Sequence, residues 1–304
     1  VTTSKDSASC APLVIFHSMN GTMHCDDGWA AACVAKMGIS EGEPEFFPGI
    51  YGQEPPIGRV RDRTVYLLDF SYKRQKLLDL VWEGQPKRLV VLDHHKTAEA
   101  DLHGLEKQIE DDAAWITGGH RPELHVTFDM GHSGAILAWR YFFGNFSEPP
   151  ELLKRVEDGD LWRWAYPDSK LIQAALRSYP QDFETWLGLF DRPVEELAAE
   201  GVAVRRFIER KVEEVLPNAR NDLLPSDGHC PVVPMVNCPA FLASEVAGAL
   251  AERSDDGWAC AYYDTATHRV YSLRSRGNGP DVSEIAKARG GGGHRGAAGF
   301  QHPL

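Results

Sequence analysis

Residues 89–95 read L-V-V-L-D-H-H: four apolar residues, Leu89, Val90, Val91 and Leu92, run directly into Asp93, His94 and His95. An apolar run this short reads as a strand buried on both faces, the signature of a parallel sheet. Two similar runs lie upstream. Residues 13–16 (LVIF) stop at His17, and residues 64–68 (TVYLL) stop at Asp69. Helix-like stretches at 29–37 (WAAACVAKM) and 72–82 (YKRQKLLDLVW) alternate with them, giving a βαβ rhythm. Ligands of open α/β sheets bind beyond the carboxyl ends of the strands. His17, Asp69, Asp93, His94 and His95 are therefore expected along one sheet edge.

Further along, residues 133–143 (SGAILAWRYFF) and the aromatic-rich stretch 161–190 read as packed helix. Residues 194–216 place Val204, Phe207, Ile208, Val212 and Val215 on one helical face between Pro193 and Pro217. A helix of that length spans about 34 Å and is read as a connector. The pattern then restarts: strands at 232–236, 258–263 and 270–273, helices at 242–252 and 282–288, and a run of glycines before His294. The expected fold class is α/β. Its expected parts are a parallel-sheet catalytic domain (1–193), a connector helix (194–217) and a smaller α/β domain (218–304), and 304 residues exceed the usual size of one core.

Composition narrows the class. No apolar run approaches the roughly 20 residues needed to cross a bilayer, so no membrane partner is expected, and residues 1–10 lack the pattern of a secretory signal. Six cysteines (Cys10, Cys25, Cys33, Cys230, Cys238, Cys260) form no C-x-x-C pair, which reads as reduced thiols in a cytoplasmic protein. A net charge of −12 argues against long duplex nucleic acid held by its backbone. An anionic substrate must then meet local positive charge, which metal ions could supply. Two adjacent divalent metals need carboxylates and imidazoles converging from several elements. His17, Asp26, Asp27, Asp69, Asp93, His94 and His95 offer such a set, and Asp158 and Asp160 in VEDGDLW could add another carboxylate. Asp129 and His132 read as turn or capping residues.

LVVLDHHK (89–96) resembles the signature of the DHH phosphoesterase superfamily, and GGGGHRGAAGF (290–300) resembles the glycine-rich motif of the DHH-associated C-terminal domain. YSLRSRGNGPDVSEIA (271–286) is similar to the segment that precedes that motif. The resemblance implies that Asp69 bridges two manganese ions, with magnesium or cobalt as substitutes. It also implies that His94 is a metal ligand, that His95 faces the scissile phosphate and that Asp93 orients the pair. Asp158 or Asp160 matches a further metal-ligand motif, with Asp158 slightly favoured. In the first motif, Asp26 and Asp27 are separated from His17 by SMNGTMHC, so His24 competes with His17 as the ligand. Arg274, Ser275, Gly291, Gly292, Gly293 and His294 match substrate-holding positions.

The function implied is that of an oligoribonuclease, nanoRNase-type enzyme or dinucleotide phosphodiesterase. Such an enzyme hydrolyses short oligonucleotides or linear or cyclic dinucleotides by two-metal hydroxide attack in a cleft between domains. Its partner is a small phosphodiester or nucleotide; a homodimer is compatible with this reading. The alternatives are a phosphatase of bisphosphorylated nucleotides or inorganic polyphosphate, and a nucleotide-binding relative without catalysis.

Overall fold

The computed structural model describes residues 11–19, 24–111, 121–225 and 231–304. Cys10, Cys230, the polar start at 1–10 and residues 20–23 of the segment after His17 lie outside the described residues. The chain divides into two compact units, Val1–Gly201 and Val202–Leu304.

The first unit runs β1 (Leu13–His17), α1 (Asp26–Gly38), β2 (Glu45–Gly49), β3 (Thr64–Leu68), α2 (Arg74–Gly84), β4 (Arg88–Asp93), α3 (Lys96–Leu102), α4 (Leu105–Glu110) and β5 (Glu123–Phe128). It continues through α5 (Gly134–Phe143), α6 (Glu151–Asp160), α7 (Ser169–Leu176) and α8 (Phe183–Phe190) into the 22-residue α9 (Val194–Val215), within which the division between the two units falls. All five strands are parallel, in the order β2-β1-β3-β4-β5. Alternate strand residues enter opposite cores. Val14, Phe16, Leu68, Val90 and Leu92 pack with α1, α5 and α6, whereas Leu13, Ile15, Val65, Leu67, Leu89 and Val91 pack with α2 and α4. Burial on both faces explains why these strands read as unbroken apolar runs. From β1 the chain steps outward to β2 and returns to β3 on the other side. The crevice at the carboxyl ends of β1 and β3 is thus the topological switch point, where such sheets bind ligands.

Two strands escape the sequence reading. Edge strand β2 (EFFPG) contains Pro48, a residue that sheets tolerate at edges, and β5 (ELHVTF) is an edge strand exposed or half-buried throughout. The stretch 161–190 is not continuous helix either. Between α6 and α7 the chain makes a turn in which Trp162 and Trp164 adopt left-handed backbone angles (φ 54° and 53°).

The second unit comprises β6 (Arg220–Leu223), β7 (Val232–Asn237), α10 (Ala243–Arg253), β8 (Trp258–Asp264), β9 (His268–Ser275), α11 (Val282–Lys287), β10 (Gly292–His294) and β11 (Ala297–Pro303). Its sheet has the order β10-β11-β9-β8-β7-β6, antiparallel except for the β7–β8 pair. Val233, Met235, Cys260, Leu273, Val282, Ala286 and Phe300 form its core. No described helix is long and apolar enough to cross a membrane.

Candidate metal centre

The ends of β1, β3 and β4 bring His17, Asp69, Asp93, His94 and His95 together. Asp69 directly follows β3 with φ 55°, a left-handed conformation uncommon for a side chain with a Cβ. Its backbone N–H donates to Leu92 O at 2.9 Å, so the strained residue stays tied to the neighbouring strand. Its two oxygens face different partners: Oδ2 lies 3.2 Å from His17 Nδ1 and Oδ1 lies 2.9 Å from His94 Nε2. Asp93 works behind this pair. Its Oδ1 accepts the backbone N–H groups of His94 (2.7 Å) and His95 (3.1 Å) and meets His95 Nδ1 at 2.7 Å, while Oδ2 accepts the Ser71 hydroxyl at 2.6 Å. Asp93 therefore fixes both the DHH backbone and the His95 ring.

Two helix N-termini close on the same point. Asp26 and Asp27 open α1, and Asp27 is buried. Its carboxylate accepts the first two N–H groups of α5, from Gly134 (2.6 Å) and Ala135 (3.1 Å), which anchors it at the positive end of that helix. The approach depends on glycine. A Cβ on Gly28 would stand 2.5 Å from His17 O, and one on Gly134 would stand 2.8 Å from Asp69 Cα and 3.0 Å from Asp27 Oδ2. From the end of α6, Asp160 Oδ2 comes within 3.4 Å of His94 Nε2, whose distance to Asp27 Oδ2 is 3.7 Å.

Electrostatics follows from the crowding. Burial, then the charges of Asp69 and Asp160, push the Asp27 carboxyl well above its ordinary range. Asp160 is raised by burial and by Asp69. Burial also acts on Asp69, but hydrogen bonds with His17 and His94 outweigh it and hold Asp69 well below that range. Burial would lower His94, but Asp69 and Asp160 raise it well above its usual value; His95 is raised likewise, chiefly by Asp93. Asp160 Oδ2 is buried with no hydrogen-bond partner among the described residues, its nearest cationic group being His94 Nε2 at 3.4 Å, a costly arrangement for a carboxylate unless a cation offsets it. Donor atoms of Asp27, His94 and Asp160 lie within 4.8 Å of one another, and so do those of His17, Cys25 and Asp69. Carboxylate oxygens and imidazole nitrogens converging in this way suit divalent metals, so the residues present fit the two ions that the motifs imply.

Of the residues singled out in the sequence, the structure joins His17, Asp27, Asp69, Asp93, His94, His95 and Asp160 in one centre. Asp158, favoured over Asp160 by the sequence reading, is turned elsewhere. Its Oδ1 accepts from Ala165 N (2.8 Å), and Oδ2 accepts from Tyr166 N (3.2 Å) and Ser169 Oγ (2.5 Å), so it holds the turn after α6. Asp26 belongs to none of the ligand groups among the described residues; burial raises its carboxyl, opposed by Arg177. His24, the competitor of His17, stacks on Trp29 with ring centroids 4.9 Å apart, and its Nδ1 lies 2.8 Å from Ser18 Oγ. Asp129 closes a turn by accepting from Gly131 N at 2.8 Å, and His132 lies 3.1 Å from Glu157 Oε2. Two residues of the centre went unread. Cys25 looked like one more scattered thiol, although it immediately precedes the Asp26-Asp27 pair. Tyr51 follows the unrecognised strand β2; its ring centroid lies 5.1 Å from that of His17 and 5.9 Å from that of His95.

In the second unit the second half of the glycine run is strand and not loop. Gly292–His294 form edge strand β10, paired with β11. Gly293 has φ 137°, and a Cβ on it would stand 2.6 Å from Ala297 O. His294 pairs with Ala297, and Ala297 with Arg274, so these three residues form one row across the sheet. Arg274 Nη1 donates to Leu273 O at 2.8 Å and Nη2 to Ser244 Oγ at 2.7 Å; the neighbouring Ser275 Oγ is buried without a hydrogen-bond partner among the described residues.

No model of a known protein family matches the sequence. The chain is 24% identical over 312 residues to an uncharacterized protein of Acanthamoeba polyphaga mimivirus, covering 95% of this chain and 66% of that protein. It therefore spans about two thirds of that relative's length. Among solved structures, the DHH domain of a member of the s1p family of ribosomal proteins is similar over 97% of this chain and 83% of that chain, with 14% identity and a TM-score of 0.51. A pGpG-specific phosphodiesterase from Vibrio cholerae aligns over 97% of this chain and 94% of that chain, with 13% identity and a TM-score of 0.45. The likeness to the DHH domain shows the fold, and the chain resembles the DHH superfamily in both its motifs and its architecture.

Proposed function

We propose that this chain is a two-metal phosphoesterase that hydrolyses a short nucleotide phosphodiester, such as a dinucleotide. The observation that carries the reading is Asp69. One of its carboxylate oxygens faces His17 and the other faces His94, so a single strained carboxylate stands between two ligand groups at the switch point of a parallel sheet. His17 and Asp69 would hold one ion, and Asp27, Asp69, His94 and Asp160 the other, with manganese the expected metal. Bound there, the ions would supply Lewis-acid charge and a water acidified to act as nucleophile near neutral pH.

The chain's own residues supply the rest. Asp93 fixes the His95 ring through Nδ1 and favours its protonated form, so Nε2 donates to a phosphoryl oxygen as negative charge builds in the transition state. Asp27, clamped on the α5 N-terminus, and Asp93, clamped by backbone N–H groups, keep their neighbours in place and limit reorganisation during turnover. Within the second unit, Arg274, Ser275, Gly291, Gly292, Gly293 and His294 are the proposed nucleotide-holding residues, with the Arg274 guanidinium taking a non-scissile phosphate.

The test is metal content and turnover of purified protein against linear dinucleotides, cyclic dinucleotides, bisphosphorylated nucleotides and polyphosphate. Turnover of a dinucleotide should require a divalent metal and stop with a chelator. Asp69→Ala should lose both metal and turnover, and His95→Ala should retain metal while kcat drops by about 10²–10⁴-fold. Arg274→Ala should raise KM with metal content unchanged. Turnover that survives chelation rejects the metal mechanism, and preferential cleavage of polyphosphate rejects the substrate class.

A further inference from the structure

Cys25 occupies the N-cap position of α1 yet its side chain makes no capping hydrogen bond. That position usually carries Ser, Thr, Asp or Asn, whose oxygen accepts from the first turn. The Cys25 carbonyl still receives Trp29 N at 2.8 Å, which fixes the backbone. Gly28 lets the first turn of α1 press against His17, and as a result the Cys25 sulfur joins His17 and Asp69, with all three donor atoms within 4.8 Å. Among the described cysteines, Cys33, Cys238 and Cys260 are buried in core positions, and Cys25 alone belongs to a ligand group.

Resting on the metal-dependent reading above, we propose that Cys25 is a thiolate ligand of the ion held by His17 and Asp69, and that the centre is therefore asymmetric. This ion would have one nitrogen, one sulfur and one oxygen ligand from the chain, with a coordination position open to water or substrate, the pattern of a catalytic zinc site. The other, held by Asp27, Asp69, His94 and Asp160, has carboxylates for all but one of its ligands. Thiolate favours zinc or cobalt(II) over manganese and magnesium, whereas carboxylates suit the harder ions. Coordination would deprotonate the thiol outright, so each zinc bound there releases a proton from Cys25. The first site would therefore prefer zinc or cobalt to the manganese expected of the centre as a whole, and the second would keep manganese.

Cobalt(II) reports the ligand directly, because thiolate coordination adds a near-ultraviolet charge-transfer band that oxygen and nitrogen ligands do not give. Chelator-stripped full-length protein is titrated with cobalt(II), with bound metal measured by mass spectrometry. Wild type should develop the band as one equivalent binds. Cys25→Ser should bind cobalt without the band. Cys25→Asp should also lack it and, equilibrated with equal zinc and manganese, should hold roughly tenfold less zinc relative to manganese than wild type. Cobalt bound by wild type without the band overturns the proposal and leaves the two-metal phosphoesterase reading intact, as does a band that persists in Cys25→Ser. Failure of wild type to bind any cobalt, zinc or manganese overturns both.

Discussion

Asp158 and Asp160 sit two residues apart near the end of α6, and their surroundings give them opposite tasks. Asp158 accepts two backbone N–H groups and a hydroxyl; truncating it strands those donors. Asp158→Ala should therefore cost about 1–3 kcal/mol of stability, read by urea denaturation. Asp160 has a buried oxygen without a hydrogen-bond donor among the described residues and a carboxyl raised by burial and by Asp69. Asp160→Asn should leave the metal-free protein folded and slightly more stable at neutral pH, while weakening metal binding. Asp93 allows a test of the opposite sign. Burial would raise its carboxyl, but the charge and hydrogen bond of His95, aided by Ser71, hold it at about 2 rather than the ordinary 3.8. Its folded-state value is depressed, so its contribution, about 2 kcal/mol, is present above the unfolded value and lost as pH falls through about 2. Asp93→Asn should be less stable than wild type at neutral pH, and that difference should shrink between about pH 4 and pH 2.

At the scale of elements, the centre depends on how closely two helix N-termini approach the ends of β1 and β3. Gly28→Ala would drive a methyl group into His17 O, and Gly134→Ala would drive one into Asp69 and Asp27. Neither obstacle is a flexible side-chain tip; the atoms met belong to the His17 and Asp69 backbone and Cβ and to the buried Asp27 carboxylate. Each substitution should cost about 1–3 kcal/mol and reduce bound metal, measured by thermal unfolding and metal analysis, whereas Gly188→Ala, where an added Cβ meets nothing within 4 Å, should do neither. The central strands were legible because they are buried on both faces. Edge strands β2 and β5 were not, since a strand without a neighbour on one side need not be apolar. The turn at 161–168 escaped notice because Asp158 replaces helical hydrogen bonds there, and no periodicity signals such a substitution.

At the scale of the molecule, charge sets two expectations. The chain carries a net charge of −12, so nucleotides beyond the first few should gain little binding and meet some repulsion. In a length series from dinucleotide to about 20 nucleotides, kcat/KM should fall steeply; a constant or rising value would point to a nuclease with a basic track. The ionisation of the centre bears on the metal binding proposed for it. His94 and Asp27 are both raised well above their usual values, so in the metal-free chain both favour their protonated forms. Metal ligation requires the deprotonated forms. Metal binding should therefore release protons and tighten as pH rises, measurable by calorimetry in buffers of different ionisation enthalpy.

Three apolar runs, each stopped by a polar residue, determined from sequence that a parallel sheet would present His17, Asp69 and Asp93-His94-His95 at one edge. That much follows locally, because burial on both faces dictates composition and the strand end dictates position. The choice between near neighbours was made elsewhere in the chain. Asp27 rather than Asp26 joins the centre because Gly134 and Ala135, more than a hundred residues away, donate to it. His24 is drawn off by Trp29 and Ser18, Asp158 by the turn that it caps, and Cys25 is brought in by the contact of Gly28 with His17. Residues one or two positions apart share almost the same local sequence. Only the partners that the folded chain supplies to each can separate them.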